Sequence, residues 1–138
     1  MLSTVEVYDS TTDSWKTKAD MPTRRFWPAT AVVDGKIYVI GDMDIPDDWA
    51  GKNPDFSTVE VYDPRTDTWE RRTDMPTPRS LANNAPVDNG KIYVIGGWQQ
   101  GVRTFEESGV AIVDVYDPAT YTLGVGSEYT RTTKGRSE

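Results

Sequence analysis

At 138 residues the chain has the length of one ordinary domain. Its 36% hydrophobic content, dominated by β-branched and aromatic residues, suits thin twisted sheets better than a thick helical core. It contains no cysteine and no histidine, which removes a disulfide framework, thiolate chemistry and the commonest general base and metal ligand. A formal charge of −7 argues against nucleic-acid binding. No apolar run approaches membrane-spanning length, and residues 1–20 lack a signal-peptide pattern.

In chain order, the first strong signal is Val5-Glu6-Val7-Tyr8-Asp9, a period-two run closed by a polar turn and followed by Trp15. The phrase returns 54 residues later as Val59-Glu60-Val61-Tyr62-Asp63, and 54 later again as Val113-Asp114-Val115-Tyr116-Asp117. Ser3-Thr4 recurs as Ser57-Thr58, Trp15 as Trp69, Asp20-Met21-Pro22-Thr23 as Asp74-Met75-Pro76-Thr77, and Arg25 as Arg79. Between these lie Ala29–Val33, the dipeptide Asp34-Gly35, and Lys36–Ile40. Asp-Gly between two β-prone runs is a hairpin signal, because a type I′ turn needs positive φ at both central positions. Asn89-Gly90 serves the same joint in the next copy, where the run ending in Gly96-Gly97 is offset by one extra residue, expected in that hairpin loop.

Each unit is thus predicted as a meander of four antiparallel strands, named a to d. In the first full copy these are Ala29–Val33, Lys36–Ile40, 58–62 and Thr68–Arg72, with Asp63-Pro64-Arg65-Thr66-Asp67 as the c–d turn. Strand a of the second copy is predicted at 85–87. No window carries helical apolar spacing over three turns. Four-stranded units at a fixed period, each unable to bury its own faces, stack radially as the blades of a β-propeller. The expected division is 1–20 as half a blade (strands c and d), 21–74 as a full blade, 75–123 as a blade with a weak last strand, and 124–138 as a disordered tail. One chain then holds an incomplete ring.

The units resemble the kelch family. The resemblance rests on Gly96-Gly97 after strand b and on the spacing of Tyr62 to Trp69 and of Tyr8 to Trp15, and it covers residues 3–123. Gly41-Asp42 replaces the glycine pair in the first full blade, and Leu123 stands where a third Trp is expected. Residues that recur once per blade, Tyr8, Tyr62, Tyr116, Trp15 and Trp69, are expected to pack between blades, and Gly41, Gly96 and Gly97 to fit the backbone at the end of strand b. Arg25 and Arg79 either pair with Asp20 and Asp74 or line the central channel.

Function is sought where the repeats disagree. In a meander the d–a and b–c loops emerge on one face, and the b–c loops differ completely between copies. Trp27, Trp49 and Trp98 lie outside the repeated Trp slot, and exposed Trp and Arg are common interface anchors. The expected ligand-binding set is a shallow basin of Arg24, Arg25, Arg79, Trp49 and Trp98, ringed by Asp44, Asp47 and Asp48. Trp27, Asn83, Gln99 and Arg103 lie on the same loops. The acidic run from Asp42 to Asp48 lacks the Gly and distal Glu of a calcium loop, and Pro46 interrupts it, so a solvated acidic loop is preferred and no metal or cofactor is expected. The adjacent pair Glu106-Glu107 does not define the separated acid and nucleophile of a glycosidase.

What the resemblance implies is a non-catalytic module that binds a protein or peptide on its loop face. The alternative is a carbohydrate-binding or sugar-isomerising propeller enzyme, since some similar propellers oxidise galactose or isomerise sialic acid. A copper-radical oxidase needs His and Cys, which this chain lacks; an isomerase needs a carboxylate and an Arg in the channel. The missing blades are expected from homo-oligomerisation, three chains or two, or from the remainder of a longer propeller chain.

Overall fold

A computed structural model of the chain describes residues 2–42, 56–81, 84–98, 111–120 and the strand at 130–133. Among the described residues, ten strands fall into three antiparallel sheets. Strands β1 (Val5–Asp9) and β2 (Ser14–Lys18) form a two-stranded hairpin. The first complete blade runs β3 (Ala29–Val33), β4 (Lys36–Ile40), β5 (Val59–Asp63), β6 (Thr68–Arg72) in spatial order, a simple meander. The second runs β7 (Val87–Asp88), β8 (Lys91–Ile95), β9 (Ile112–Tyr116) and β10 (Thr130–Thr133). The sheets are those of a partial β-propeller, as the repeat predicts.

Local chemistry sets each turn. Asp34 and Gly35 have φ of 49° and 73°, and Asn89 and Gly90 have 49° and 73°, so both a–b hairpins close by the same two-residue left-handed turn. The c–d turns open with an aspartate that caps the backbone two residues on: Asp9 accepts from the Thr11 amide (2.9 Å), Asp63 from the Arg65 amide (2.9 Å) and Asp117 from the Ala119 amide (3.0 Å). Asp13 and Asp67 close the first two of these turns at φ of 50° and 55°, a conformation aspartate tolerates better than most side chains.

Three details differ from the sequence expectation. The extra residue of the second copy lies outside its hairpin turn. Asp88 pairs with Lys91 as Val33 pairs with Lys36, so the insertion falls between Arg79 and Ala85, in the d–a segment. Strand a of that blade is only Val87–Asp88, because Pro86 has no amide to give the ladder; its carbonyl still accepts from Tyr93 (2.9 Å). The tail expected to be disordered contributes β10, whose Thr130, Thr132 and Thr133 are β-branched and pair along β9 opposite Val115, Val113 and Ile112.

The core lies between the two complete blades. It gathers Ala29, Ala31, Val33, Tyr38, Ile40, Val59 and Val61 from one and Ala85, Ile92, Val94 and Tyr116 from the other, with Met75 and Leu81 from the segment joining them. The innermost strands touch, with Thr30 bridging Asn84 and the Thr30 carbonyl accepting from Ala85 (2.9 Å). The Tyr38 and Tyr116 rings meet across the junction at 6.0 Å.

Candidate functional site

The d–a segments and the ends of strand b meet, and a buried arginine ties each pair together. Arg79 is fully buried and donates to Asp114 (2.7 Å) and to the carbonyls of Gly96 (2.7 Å), Thr77 (3.0 Å) and Val94 (3.1 Å). Arg25 repeats the arrangement, donating to Glu60 (2.9 Å) and to the carbonyls of Gly41, Asp42 and Thr58. Glu60 also accepts from the Thr23 hydroxyl (2.7 Å). The arginine partners are therefore the strand-c carboxylates, neither Asp20 nor Asp74; Asp74 pairs with Arg71. Both guanidinium groups are buried against the scaffold, which argues against ligand contact through Arg25 and Arg79. Their geometry is that of a bidentate-capable planar cation stitching three backbone segments.

Close backbone approach explains the glycines. A Cβ on Gly41 would lie 2.7 Å from the Arg79 carbonyl, and one on Gly97 would lie 2.7 Å from the Ser80 carbonyl. Where the glycine pair is broken, Asp42 adopts φ of 47° and turns the substitution to use: its carboxylate accepts from the Trp27 amide. In the second blade the loops pair through backbone instead, Ser80 and Trp98 exchanging amide–carbonyl bonds of 2.9 and 2.8 Å.

Those anchors hold aromatic side chains outward. Phe26 and Trp27 are 58% and 59% exposed and stack edge to face with centroids 4.6 Å apart. Trp98 is 36% exposed on the partner loop, and Arg24 is exposed. Of the expected set, Arg24, Trp27 and Trp98 thus stand at the surface, while Asp44, Asp47, Asp48, Trp49, Asn83, Gln99 and Arg103 lie outside the described residues. Phe26 joins them, although sequence reasoning singled out only Trp27. Its signal was the failure to repeat, since Ser80 occupies the matching position after Arg79. Among the described residues no group of three or more acidic side chains is arranged to hold a metal ion.

One of the two repeated Tyr–Trp pairs serves a blade junction. The Trp69 indole donates to the Ala19 carbonyl (2.9 Å), and Asp67 accepts from both the Ala19 amide (2.9 Å) and the Tyr62 hydroxyl (2.6 Å), so β6 is latched to the end of the preceding hairpin. Loss of hydration and the bond to Asp67 push the Tyr62 phenol up to about 12. The Ala19 amide first, and then the Tyr62 hydroxyl, hold the Asp67 carboxyl below its usual range. Tyr8 and Trp15 keep the ring pairing, at 5.2 Å, but are exposed rather than packed between blades.

Comparison with known proteins agrees with this architecture. Family models for the kelch motif match residues 24–76 and 83–122. The chain is 34% identical over 101 residues to the human "Kelch repeat and BTB domain-containing protein 12", an alignment covering 70% of the chain and 16% of that protein. It is 32% identical over 117 residues to "Kelch-like protein 36" of Bos taurus (85% and 18%), and 27% identical over 122 residues to "Beta-scruin" of Limulus polyphemus (86% and 13%). The chain thus spans less than a fifth of the length of each. The solved structure of YjhT superposes with a TM-score of 0.59 at 22% identity, over 78% of the chain and 39% of YjhT, and shares its fold. Two motif matches, the fixed repeat and the blade geometry together establish that the chain belongs to the kelch-repeat family.

Proposed function

We propose that the chain is a non-catalytic module that binds a protein or peptide on the face carrying its d–a and b–c loops. The observation that carries the reading is the exposed Phe26–Trp27 pair, held by the Asp42 carboxylate at the start of a b–c loop. A rigid, amphipathic ring pair is the kind of anchor that dominates binding energy at protein surfaces. The repeated polar groups of the same region, Arg25, Glu60, Arg79 and Asp114, are buried in structural bonds, leaving recognition to what does not repeat. A screen of a displayed peptide library tests it. A selected peptide should lose roughly 30-fold in affinity with Trp27→Ala, the scale of an interface hot spot. Equal affinity for the variant, or turnover of a sugar by the parent chain, would overturn the reading. The remaining blades of the ring are proposed to come from further copies, three chains or two, or from a longer propeller chain. Light scattering showing a stable monomer removes the first source.

A further inference from the structure

The two arginine cages are built on matching positions and are satisfied differently. In the first blade Glu60 spends one carboxylate oxygen on Arg25 (2.9 Å) and the other on the Thr23 hydroxyl (2.7 Å). The matching residues of the second blade are Asp114, Arg79 and Thr77. There Asp114 Oδ2 accepts from Arg79 (2.7 Å), while Oδ1 is buried and has no hydrogen-bond partner among the described residues. The shorter acid accounts for the difference. Aspartate lacks one methylene, so the reach that brings Glu60 to 2.7 Å from the Thr23 hydroxyl falls short of Thr77 by about 1.5 Å. Arg79 does not turn to close the gap, because its Nε, Nη1 and Nη2 already donate to the carbonyls of Gly96, Thr77 and Val94.

A charged oxygen buried without a donor is costly, and buried polar groups are met by protein or by ordered water. We infer that the second cage is a binding site for one internal water molecule, which donates to Asp114 Oδ1 and bridges it to the Thr77 hydroxyl. Size selects this ligand. Two ordinary hydrogen bonds through a water span about 4.5 Å, close to the roughly 4 Å that the missing methylene leaves. Charge selects it too: Arg79 already balances Asp114, so the ligand is a neutral donor rather than a cation. Thr77 is 8% exposed against 0% for Asp114, which places the way in on the threonine side. With the water bound, both carboxylate oxygens are satisfied, and the ion pair that ties strand c to the d–a segment keeps its charge in a dry junction. In the first cage the Thr23 hydroxyl fills the same place on Glu60 directly. The inference does not depend on the loop-face reading.

Magnetic relaxation dispersion of water counts the molecules held longer than the whole chain takes to tumble, and a crystal structure that resolves ordered water locates them. The parent should hold a water within hydrogen-bond distance of both Asp114 Oδ1 and the Thr77 hydroxyl. Asp114→Glu restores the reach of Glu60, so it should release one long-lived water and raise the thermal midpoint by about 3 °C. Thr77→Val removes the second partner and keeps the acid; the count should again fall by one, and the midpoint should drop by a similar amount. Should Asp114→Glu fail to fold, the parent's density and the Thr77→Val count decide. A protein group donating to Oδ1, density with nothing bonded to Oδ1, or an unchanged count in both folded variants overturns the proposal.

Discussion

The pentapeptide Val-Glu-Val-Tyr-Asp stands twice in the chain, and its two copies live in different surroundings. In β5 it is the third strand of a complete sheet, where Val59, Glu60, Val61 and Tyr62 are all buried. In β1 the same side chains are exposed or half-exposed, although the hairpin partner, the aspartate cap and the Tyr–Trp ring contact are all preserved. Local sequence therefore fixes the hairpin and its turn, while burial comes from strands a and b and from the neighbouring blade. The pair is an internal control in which residue type is constant and only environment varies.

The largest separation is expected at the carboxylate. Glu60→Ala leaves the buried Arg25 guanidinium without its counter-charge, at a cost of about 3 kcal/mol or more. Glu6→Ala should stay within about 0.5 kcal/mol, as surface changes do. Denaturant unfolding of both variants measures the contrast; similar losses at the two sites would mean that Glu6 already has a buried partner. Next comes the valine. Val61→Ala removes two buried methyl groups at a 2% exposed site and should cost about 2 kcal/mol, against less than about 1 for Val7→Ala. A smaller difference is expected at the indole. Trp69→Phe gives up the bond to the Ala19 carbonyl, about 1 kcal/mol, while Trp15→Phe, at an exposed ring, should be nearly silent.

How much of this could be read beforehand depends on the range of the interaction. The Asp34-Gly35 and Asn89-Gly90 turns were legible because only residues tolerant of positive φ fit two adjacent left-handed positions. The repeat fixed strand order and the fourfold meander. The pairing of Arg25 with Glu60 was not legible locally, because the partners are 35 positions apart and Asp20 is nearer in sequence. The signal was there all the same: an acidic residue recurs at Glu6, Glu60 and Asp114 in step with Arg25 and Arg79. Strand β10 was missed because Leu123 and the glycines after it erase the Trp landmark, leaving only a short β-branched stretch at 130–133 that borrows its order from β9. In the candidate region Trp27 and Trp98 are singled out by their failure to repeat, and both stand at the surface. The sequence leaves Arg25 and Arg79 open between a structural and a ligand role, since a recurring arginine near a loop reads the same whether it faces solvent or the blade interior, and both are buried.

The smallest effect concerns the latch between the hairpin and the first complete blade, and pH reaches it from both sides. Asp67 accepts from the Ala19 amide and from the Tyr62 hydroxyl; among the described residues Asp13, its counterpart, accepts from Tyr8 (2.7 Å) and from no amide of another blade. Because folding holds the Asp67 carboxyl below its usual range, its contribution is fully present above about pH 4 and is lost as pH falls below that value. Tyr62 has the opposite sign. Its phenol is raised to about 12, so the fold favours the neutral form, and that contribution is present below about pH 10 and is lost as pH climbs from there toward 12. Asp9 and Asp63 are also held low by their turn bonds, so acid alone will not isolate the latch. Asp67→Asn isolates it, because asparagine tolerates the left-handed backbone at this position but cannot ionise. The thermal midpoint of the variant should fall less steeply than the parent's below about pH 4. Parallel slopes for Asp67→Asn and the parent would place the acid sensitivity in the turn caps and leave the latch electrostatically neutral.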